Sequence, residues 1–429
     1  MRSTANASTP ASEQVPLGIA ATIATPRREP IWTRDFVLIC LVNVLAMWGF
    51  TMLMPTLPVY VKTMGGQESA IGLIMGVFAL SALASRPWSG RRMDRVGRRG
   101  LYLGSLIAVV PIYLAYSVVP TTILWLGAVR LLHGVCFGIM MTGGGTVVAD
   151  AVPASRRGEG IGYFGTFAVV SSALAPTAGI MLMNHFGFGT LAVVNACLAL
   201  VAVLLARTIR YQPVSKRAAG SVSAKAERGL ARYVERRSLA PSVIALCLYC
   251  AQTSVLTFLP VHALQRGISN IGLFFAVNAL TVMVFRAVAG KLYDTRGPAL
   301  VIVPGILVAV AAMLVVGAAT SLEMFLLGAV LLGIGMGAVA PSLQAMSVDG
   351  VAPERRGVAN GTYFSALDIG MGGGAILLGT VAQAFGYPVM YFVAAGLATG
   401  GLVLFAILRP TKNPVCLNVP GIVGPPLGS

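Results

Sequence analysis

The sequence predicts an all-α integral membrane protein with twelve transmembrane helices in two pseudo-symmetric six-helix bundles. Hydrophobic residues make up 56% of the 429 residues and charged residues only 10%, whereas a typical soluble protein has about 25% charged residues. Apolar stretches of about 20 residues follow one another from Phe36 onward, and each can cross a bilayer core about 30 Å thick. These runs show no alternation of polar and apolar residues, so helices are predicted rather than a β-barrel.

An internal duplication predicts the two bundles. The segment RPWSGRRMD at residues 86–94 is echoed by RAVAGKLYD at residues 286–294, and Tyr163-Phe164 recurs as Tyr363-Phe364. Two similar bundles must share an interface. Transporters built from parallel repeats place their substrate at such an interface.

The apolar runs define the predicted spans and the units of the chain. In order, the twelve spans are 35–61, 69–91, 101–119, 121–149, 157–183, 188–208, 239–264, 269–291, 299–319, 321–349, 356–384 and 386–408. The chain accordingly divides into a disordered N-terminal tail (1–34), a first bundle (35–208), a basic linker (209–238), a second bundle (239–408) and a C-terminal tail (409–429). The N-terminal tail has no apolar core, so it is not interpreted as a signal peptide.

The distribution of basic residues predicts the orientation. Of the 31 Lys and Arg, 26 lie in the tails, in the even-numbered loops or at the span ends that adjoin these loops, two in odd-numbered loops and three deep within spans. Basic loops face the cytoplasm, so both termini are predicted to be cytoplasmic, with the protein in a bacterial inner membrane. The net charge of +17 is interpreted as this topology signal together with attraction to membrane lipid, and no nucleic-acid partner is expected.

The loop after the second span has the most specific pattern in the chain. It contains Gly90, Asp94, Arg95, Gly97 and Arg98. Glycines allow close helix approach and a tight turn, and the arginines can pair with a carboxylate at another helix end. A similar order of glycine, basic residue, aspartate and glycine begins at Gly290, which argues against a merely basic loop.

This pattern resembles motif A of the major facilitator superfamily, and the resemblance covers about residues 34–409. It implies transport by alternating access. It also implies that Asp94 and Arg98 join Asp150, at the cytoplasmic end of the fourth span, and latch the outward-open state. In the second half Asp349 matches Asp150, but Pro298 replaces the arginine, so an equivalent second latch is not expected.

The fourth span contains a membrane-embedded arginine. Arg130 lies roughly 14 Å from the outer end of that helix at 1.5 Å per residue, where a charge without a partner is costly. It shares a helix face with His133, and the run resembles motif B of proton-coupled family members, with His133 in place of the usual glutamine. Two interpretations stay open: proton coupling or substrate contact, and a structural hydrogen-bond hub beside a neutral core histidine.

The fifth and eleventh spans add three candidate residues. Pro176 and Gly179 resemble a degenerate motif C, which is found in proton-driven exporters, and they predict a bend in the fifth span. Asp368 lies about 12 residues into the eleventh span, where burial favours the neutral form of a carboxyl group. Asp368 is therefore the predicted proton carrier, with Arg130 as electrostatic partner or substrate contact. The alternative is a carboxylate neutralised by a helix dipole or by an arginine such as Arg130.

Polar and aromatic residues of several spans are candidates for the substrate cavity. They are Asn43, Trp48, Tyr163, Tyr249, Gln252, Asn278, Gln344 and Tyr363. Ordinary helix packing is the alternative for each of them.

The resulting functional prediction is a monomeric secondary transporter. It would export a small organic molecule, a drug or a metabolite, with a proton gradient as energy source and with no cofactor or bound metal. The phrases at residues 85–90, 133–136 and 368–370 resemble a bacterial branch of small drug exporters and exporters of opine-type metallophores. A proton-coupled importer of a sugar or organic acid is the nearer alternative, and a membrane sensor without transport the remote one. The chain has no Walker loop and no plausible Ser/His/Asp set, so neither ATP-driven transport nor enzymatic activity is expected.

Overall fold

The computed structural model describes residues 30–117, 122–153, 156–211, 234–268, 270–352 and 355–408, and this part of the chain is helical without any strand. The helices are Arg34–Thr63, Glu68–Val96, Arg98–Ser117, Ile123–Ala151, Arg157–Arg207, Arg236–Thr253, Leu259–Gln265, Gly272–Arg296, Ala299–Ala318, Leu322–Val348 and Arg356–Ile407. A π-helical turn at Ser254–Phe258 joins two of them into one span.

The described helices confirm the predicted fold class. Ten helical segments are long and apolar enough to cross a membrane. Two of them, of 51 and 52 residues, are interrupted at Gly187 and Gly386, each with φ 81°. Glycine adopts such a φ without a steric penalty. Each long segment therefore supplies two spans, which brings the total to twelve.

The duplication in the sequence recurs in the backbone. Gly97 ends the second span with φ 101°, and Gly297 ends the eighth with φ 85°. The breaks at Gly187 and Gly386 have nearly the same ψ, 167° and 169°. Glycines at matching positions thus impose the same turns in both halves.

The helix ends define two faces of the bundle. At the face called here the basic end, helices begin at Arg34, Arg98, Arg157, Arg236 and Arg356. At the opposite end, helices begin at Glu68, Ile123, Gly272 and Leu322.

Hydroxyl side chains fix several helix starts. Thr33 accepts a hydrogen bond from the Phe36 N–H at 3.2 Å, and Thr122 and Ser321 cap the fourth and tenth spans in the same manner. Such caps satisfy backbone donors that have no partner within the helix.

The two halves meet along two main helix pairs, and the first span also contacts the seventh. The second span packs against the eleventh, and the fifth packs against the eighth. In the first pair, glycines allow the backbones to approach closely. A methyl group added at Gly76 would lie 2.8 Å from the Gly372 carbonyl oxygen, and one at Gly72 would collide with the Ala375 carbonyl.

Candidate functional site

A cavity of about 310 Å³ lies between the two halves. Its wall consists of Met47, Phe50, Met54, Met75, Phe78, Ala79, Ala82, Phe137, Thr253, Leu256, Thr257, Leu367, Asp368, Met371 and Ala375. These residues belong to the first, second, fourth, seventh and eleventh spans. Both halves therefore contribute to the wall, as expected for a substrate site between repeats.

The cavity wall is mostly apolar and polarisable. Four of its residues are methionines, and three are phenylalanines in mutual contact. The ring of Phe50 lies 5.0 Å from that of Phe78 and 4.3 Å from that of Phe137, measured between centroids. Methionine has three rotatable bonds and a soft sulfur, so this wall can adapt to aromatic ligands of different shape.

Asp368 is the one carboxylate among the described residues of this wall, and its partner is Arg86 of the second span. Arg86 Nη2 lies 3.0 Å from Asp368 Oδ2 and donates a hydrogen bond to Oδ1 at 3.3 Å. Both side chains are largely covered, with 26% and 16% of their surfaces exposed. The pair joins the two halves of the protein. The expectation that Arg130 would be the electrostatic partner of Asp368 is corrected accordingly.

One oxygen of this carboxylate has spare hydrogen-bonding capacity. Within the described part of the chain, neither Asp368 Oδ2 nor Arg86 Nε has a hydrogen-bond partner. The contact to Oδ2 is thus a charge contact without hydrogen-bond alignment, and a lone pair of Oδ2 is available to a proton.

Arg130 lies directly behind the cavity wall. It is fully buried, and its Nη2 contacts the sulfur atoms of Met54 and Met75, each at 3.7 Å. The guanidinium carbon lies 4.1 Å from the centre of the Phe78 ring, a cation–π distance. No ion pair involving Arg130 occurs among the side chains that the structure describes.

His133 lies beside Arg130, as the shared helix face predicted. Its Nδ1 is 3.5 Å from Arg130 Nη1 and 3.4 Å from the Tyr116 hydroxyl. A guanidinium group only donates, so Nδ1 acts as acceptor and the neutral ring has its proton on Nε2. His133 is buried and is not part of the cavity wall.

The structure describes part of the predicted latch, whose role in the outward-open state stays a prediction. Arg98 and Asp150 form an ion pair at the basic end, whereas the side chains of Asp94 and Arg95 lie outside the described residues. Gly97 has the positive φ that a tight turn requires. Gly90 does not mediate a close approach, because a methyl group there would lie 3.9 Å from its nearest neighbour, the Thr142 side chain.

Pro176 and Gly179 have helical dihedral angles, so they do not interrupt the fifth span. The non-helical residue is Gly187, which separates the fifth span from the sixth. Gly179 instead allows close packing, because a methyl group there would lie 3.0 Å from the backbone of Met52 in the first span.

The residues predicted to line the cavity are not in this wall. They are Asn43, Trp48, Tyr163, Tyr249, Gln252, Asn278, Gln344 and Tyr363, and none of them is among the lining residues. Three of these eight residues take part in contacts between or beside helices. Asn278 donates to the Ala329 carbonyl at 3.0 Å, Tyr363 donates to the Ala340 carbonyl at 3.0 Å, and Tyr163 packs on Trp32.

Tyr249 and Tyr363 nevertheless lie together. Their hydroxyl groups are close enough to interact with each other, and Arg286 is close enough to interact electrostatically with both. Asn43 Nδ2 and Gln252 Oε1 are buried without a hydrogen-bond partner in the described part of the chain.

Sequence patterns did not predict that methionines and phenylalanines line the cavity. In an apolar span, methionines and phenylalanines that line a cavity have the same sequence pattern as those that pack against neighbouring helices. A second missed feature is the π-helical turn Ser254–Phe258, which contributes Leu256 and Thr257 to the wall. Pro260 follows two residues later and lacks the N–H that would continue a regular α-helix. Such turns are frequent at functional sites.

Polar contacts close the opposite end of the cavity. Tyr387 donates to Glu68 Oε1 at 3.3 Å across the two halves, and Glu68 pairs with Lys62 at 2.6 Å. Gln383 donates to Gln67 at 2.9 Å. Among the described residues, the hydrogen bonds between the halves lie at this end, apart from the pair of Arg86 with Asp368.

Comparison with known protein families agrees with the fold. The Major Facilitator Superfamily matches residues 39–321 and again residues 269–424. The chain belongs to the major facilitator superfamily. Members of this superfamily are transporters and not enzymes, in agreement with the prediction.

Two curated members of the superfamily are similar to most of this chain. The staphylopine export protein of Staphylococcus aureus is 22% identical over 366 residues, which cover 83% of this chain and 92% of that protein. The multidrug resistance protein MdtG of Citrobacter koseri is 27% identical over 392 residues, 87% of this chain and 94% of that protein. Among solved structures, that of the nucleoside transporter NupG superposes with a TM-score of 0.69 at 13% identity, over 88% of this chain and 100% of that one.

Proposed function

We propose that this superfamily member exports small organic molecules in exchange for protons. The ion pair between Arg86 and Asp368 would couple the movement of the organic molecule to the movement of the proton. The observation behind this proposal is the position of the pair. It connects the two halves, and its carboxylate, Asp368, is part of the wall of the central cavity. A change of charge at Asp368 thus acts on the substrate site and on the contact between the halves together.

A proton would act at Asp368 Oδ2, the oxygen without a hydrogen-bond partner in the described part of the chain. Protonation removes the negative charge, so the attraction to Arg86 falls. Removing one charge of a fully buried pair costs about 3–5 kcal/mol, and a partly exposed pair less. Since about 1.4 kcal/mol shifts an equilibrium tenfold, even a partial loss favours a different arrangement of the halves.

The direction of transport is proposed from three features. Basic loops and helix ends define the basic end, which we assign to the cytoplasm of a bacterial inner membrane. The contacts of Glu68 with Tyr387 and of Gln67 with Gln383 close the other end, so in this state the cavity would accept substrate from inside. Two similar relatives are named as export or resistance proteins. Monomeric function in contact with lipid is part of the same proposal.

Transport into everted membrane vesicles tests the proposal. Fluorescein, an aromatic carboxylate dye, is supplied outside, and an acid interior is generated by respiration. We expect uptake that collapses with the proton gradient in the wild type. The D368N variant should retain any gradient-independent exchange and lose the response to the gradient. Unchanged gradient dependence in D368N would refute the role of Asp368, and dye movement in the reverse direction would favour an importer.

A further inference from the structure

We propose that Arg130 is the anion-binding group of the substrate site, and that the substrate class is an organic anion with an aromatic or similarly apolar body. This inference depends on the proposed transport function and specifies its substrate. It assigns to Met54, Met75 and Phe78 the role of a displaceable screen between the arginine and the cavity.

The first observation is the missing counter-ion. Arg130 is 0% exposed, and its Nε has no hydrogen-bond partner in the described part of the chain. Its Nη2 contacts two thioether sulfurs, and its Nη1 lies 3.5 Å from the uncharged Nδ1 atom of His133. Thioether sulfur is a weak acceptor. A buried guanidinium group with such partners retains most of its desolvation cost, which an anion would offset.

The second observation is the position of these weak partners. Met54, Met75 and Phe78 contact the guanidinium group on one side and line the cavity on the other. A single layer of side chains therefore separates Arg130 from a ligand. The two methionine side chains can rotate away without breaking a strong interaction, so a carboxylate could take the place of both sulfurs. A planar anion then meets the guanidinium group through two parallel hydrogen bonds.

The third observation is the charge of the surroundings. Asp368 is the one acidic residue among the described residues of the cavity wall, and Arg86 already neutralises it. His133 faces Arg130 with an acceptor nitrogen, in the neutral state assigned above. Arg130 thus leaves an excess positive charge at the cavity, which favours anionic over cationic ligands.

The rest of the cavity suits the body of such a ligand. Three phenylalanines and four methionines form most of the surface. A volume of about 310 Å³ lies at the lower end of the range for small-molecule sites. An aromatic body with a carboxylate group matches this volume and wall.

A charge series on the purified full-length wild type tests the inference without any substitution. The probes are 1-naphthoate, 1-naphthamide and 1-naphthylmethylamine, which is a cation at neutral pH. They share one ring system, and the readout is the midpoint of thermal unfolding. We expect the midpoint to rise with naphthoate concentration, with at least about tenfold weaker effects of the amide and the amine, since a charge-assisted pair is worth about 1.5–3 kcal/mol. Equal effects of all three, or a stronger effect of the amine, would overturn the inference. If sodium chloride at the same concentration gives the full shift, the site binds inorganic anions, and the inference is overturned as well.

Variants then locate the site. R130M should abolish the preference for naphthoate, and R130K, which keeps the charge without the planar fork, should retain it in weakened form. M54L should preserve or strengthen naphthoate binding, because it removes a competing sulfur with little change of volume. M390L changes a fully buried methionine of the twelfth span that is not part of the cavity wall, and it serves as the matched control without effect. A naphthoate preference that survives in R130M excludes Arg130.

The D368N variant separates this inference from the proposed function. It should retain the preference for naphthoate or strengthen it, because Arg130 is unchanged and Arg86 loses its counter-ion beside the cavity. Loss of proton coupling with retained anion preference supports both proposals. Anion preference that disappears in D368N and persists in R130M would contradict the inference while leaving proton coupling at Asp368 intact.

Discussion

Arg86 Nη2 lies 3.0 Å from Asp368 Oδ2, and this contact joins the second span to the eleventh across the wall of the central cavity. The two residues are 282 positions apart in the sequence. Their pairing places a charge-dependent contact between the two halves of a transporter, where a protonation event can change the relation of the halves.

A double-mutant cycle measures this coupling. We expect R86Q and D368N each to destabilise the purified protein, and the R86Q/D368N double variant to be more stable than the sum of the single effects predicts. For residues in direct contact the interaction energy should be about 0.5–3 kcal/mol. Thermal unfolding in detergent at neutral pH gives the values. Strict additivity would show that the pair makes no energetic contribution.

A larger side chain at Gly72 should hold the opposite end open. A methyl group at this position already meets the Ala375 carbonyl and lies 3.2 Å from the Gly379 Cα atom, so G72V forces the second and eleventh spans apart. Alkylation of a cysteine introduced at Gln383, which bonds to Gln67 at this end, should become at least several-fold faster. G127V is the matched control, because no atom of the described residues lies within 4 Å of a methyl group at Gly127. Equal alkylation rates in G72V and G127V would rule out this role of the contact.

Gly90 and Gly97 should respond differently to substitution by alanine. Gly97 has φ 101°, a conformation that costs a residue with a Cβ about 1–3 kcal/mol. G97A should therefore lower the unfolding midpoint and the transport rate. G90A should behave like the wild type, because its methyl group would find its nearest neighbour at 3.9 Å. A transport defect in G90A as large as that in G97A would contradict the structural distinction.

The latch pair should affect turnover more than binding. D150N removes the ion pair with Arg98 at the basic end, and neither residue is part of the cavity wall. We expect a several-fold lower maximal fluorescein transport rate with a nearly unchanged half-saturation concentration. A selective loss of affinity would indicate that Asp150 acts on the substrate site instead.

The pH dependence of stability should include a contribution from Glu235, next to the start of the seventh span. Arg355 Nε donates to Glu235 Oε2 at 2.5 Å, and this hydrogen bond lowers the pKa of Glu235 below its usual 4.5. The stabilisation is thus complete above the usual pKa and is lost as the pH falls through the lowered one. We expect the E235Q variant to be less stable than the wild type from pH 8 to pH 5, by at most about 1 kcal/mol since the pair is partly exposed. The difference should vanish in stronger acid, and a difference that grows on acidification would contradict this sign.

Local sequence patterns predicted the spans, the loop glycines and the residues of the latch. Gly97 and Gly297 stand where the apolar runs end, and both adopt positive φ. Arg130 and His133 are three residues apart, so helical geometry alone placed them together. Substrate-lining residues did not follow from such patterns. Polar residues such as Asn278 and Tyr363 satisfy neighbouring carbonyls, because an unpaired polar group in an apolar interior is costly.

The sequence by itself determined a duplicated, twelve-span membrane fold, since length, hydropathy and helical periodicity act within each segment. Only the tertiary structure decided that Asp368 pairs with Arg86, that Met54 and Met75 stand between Arg130 and the cavity, and that Gly72 and Gly76 close the opposite end. These relationships depend on how helices distant in sequence pack against one another. Most residues in a membrane span are apolar. The residue type therefore does not show whether a side chain faces a neighbouring helix or a cavity.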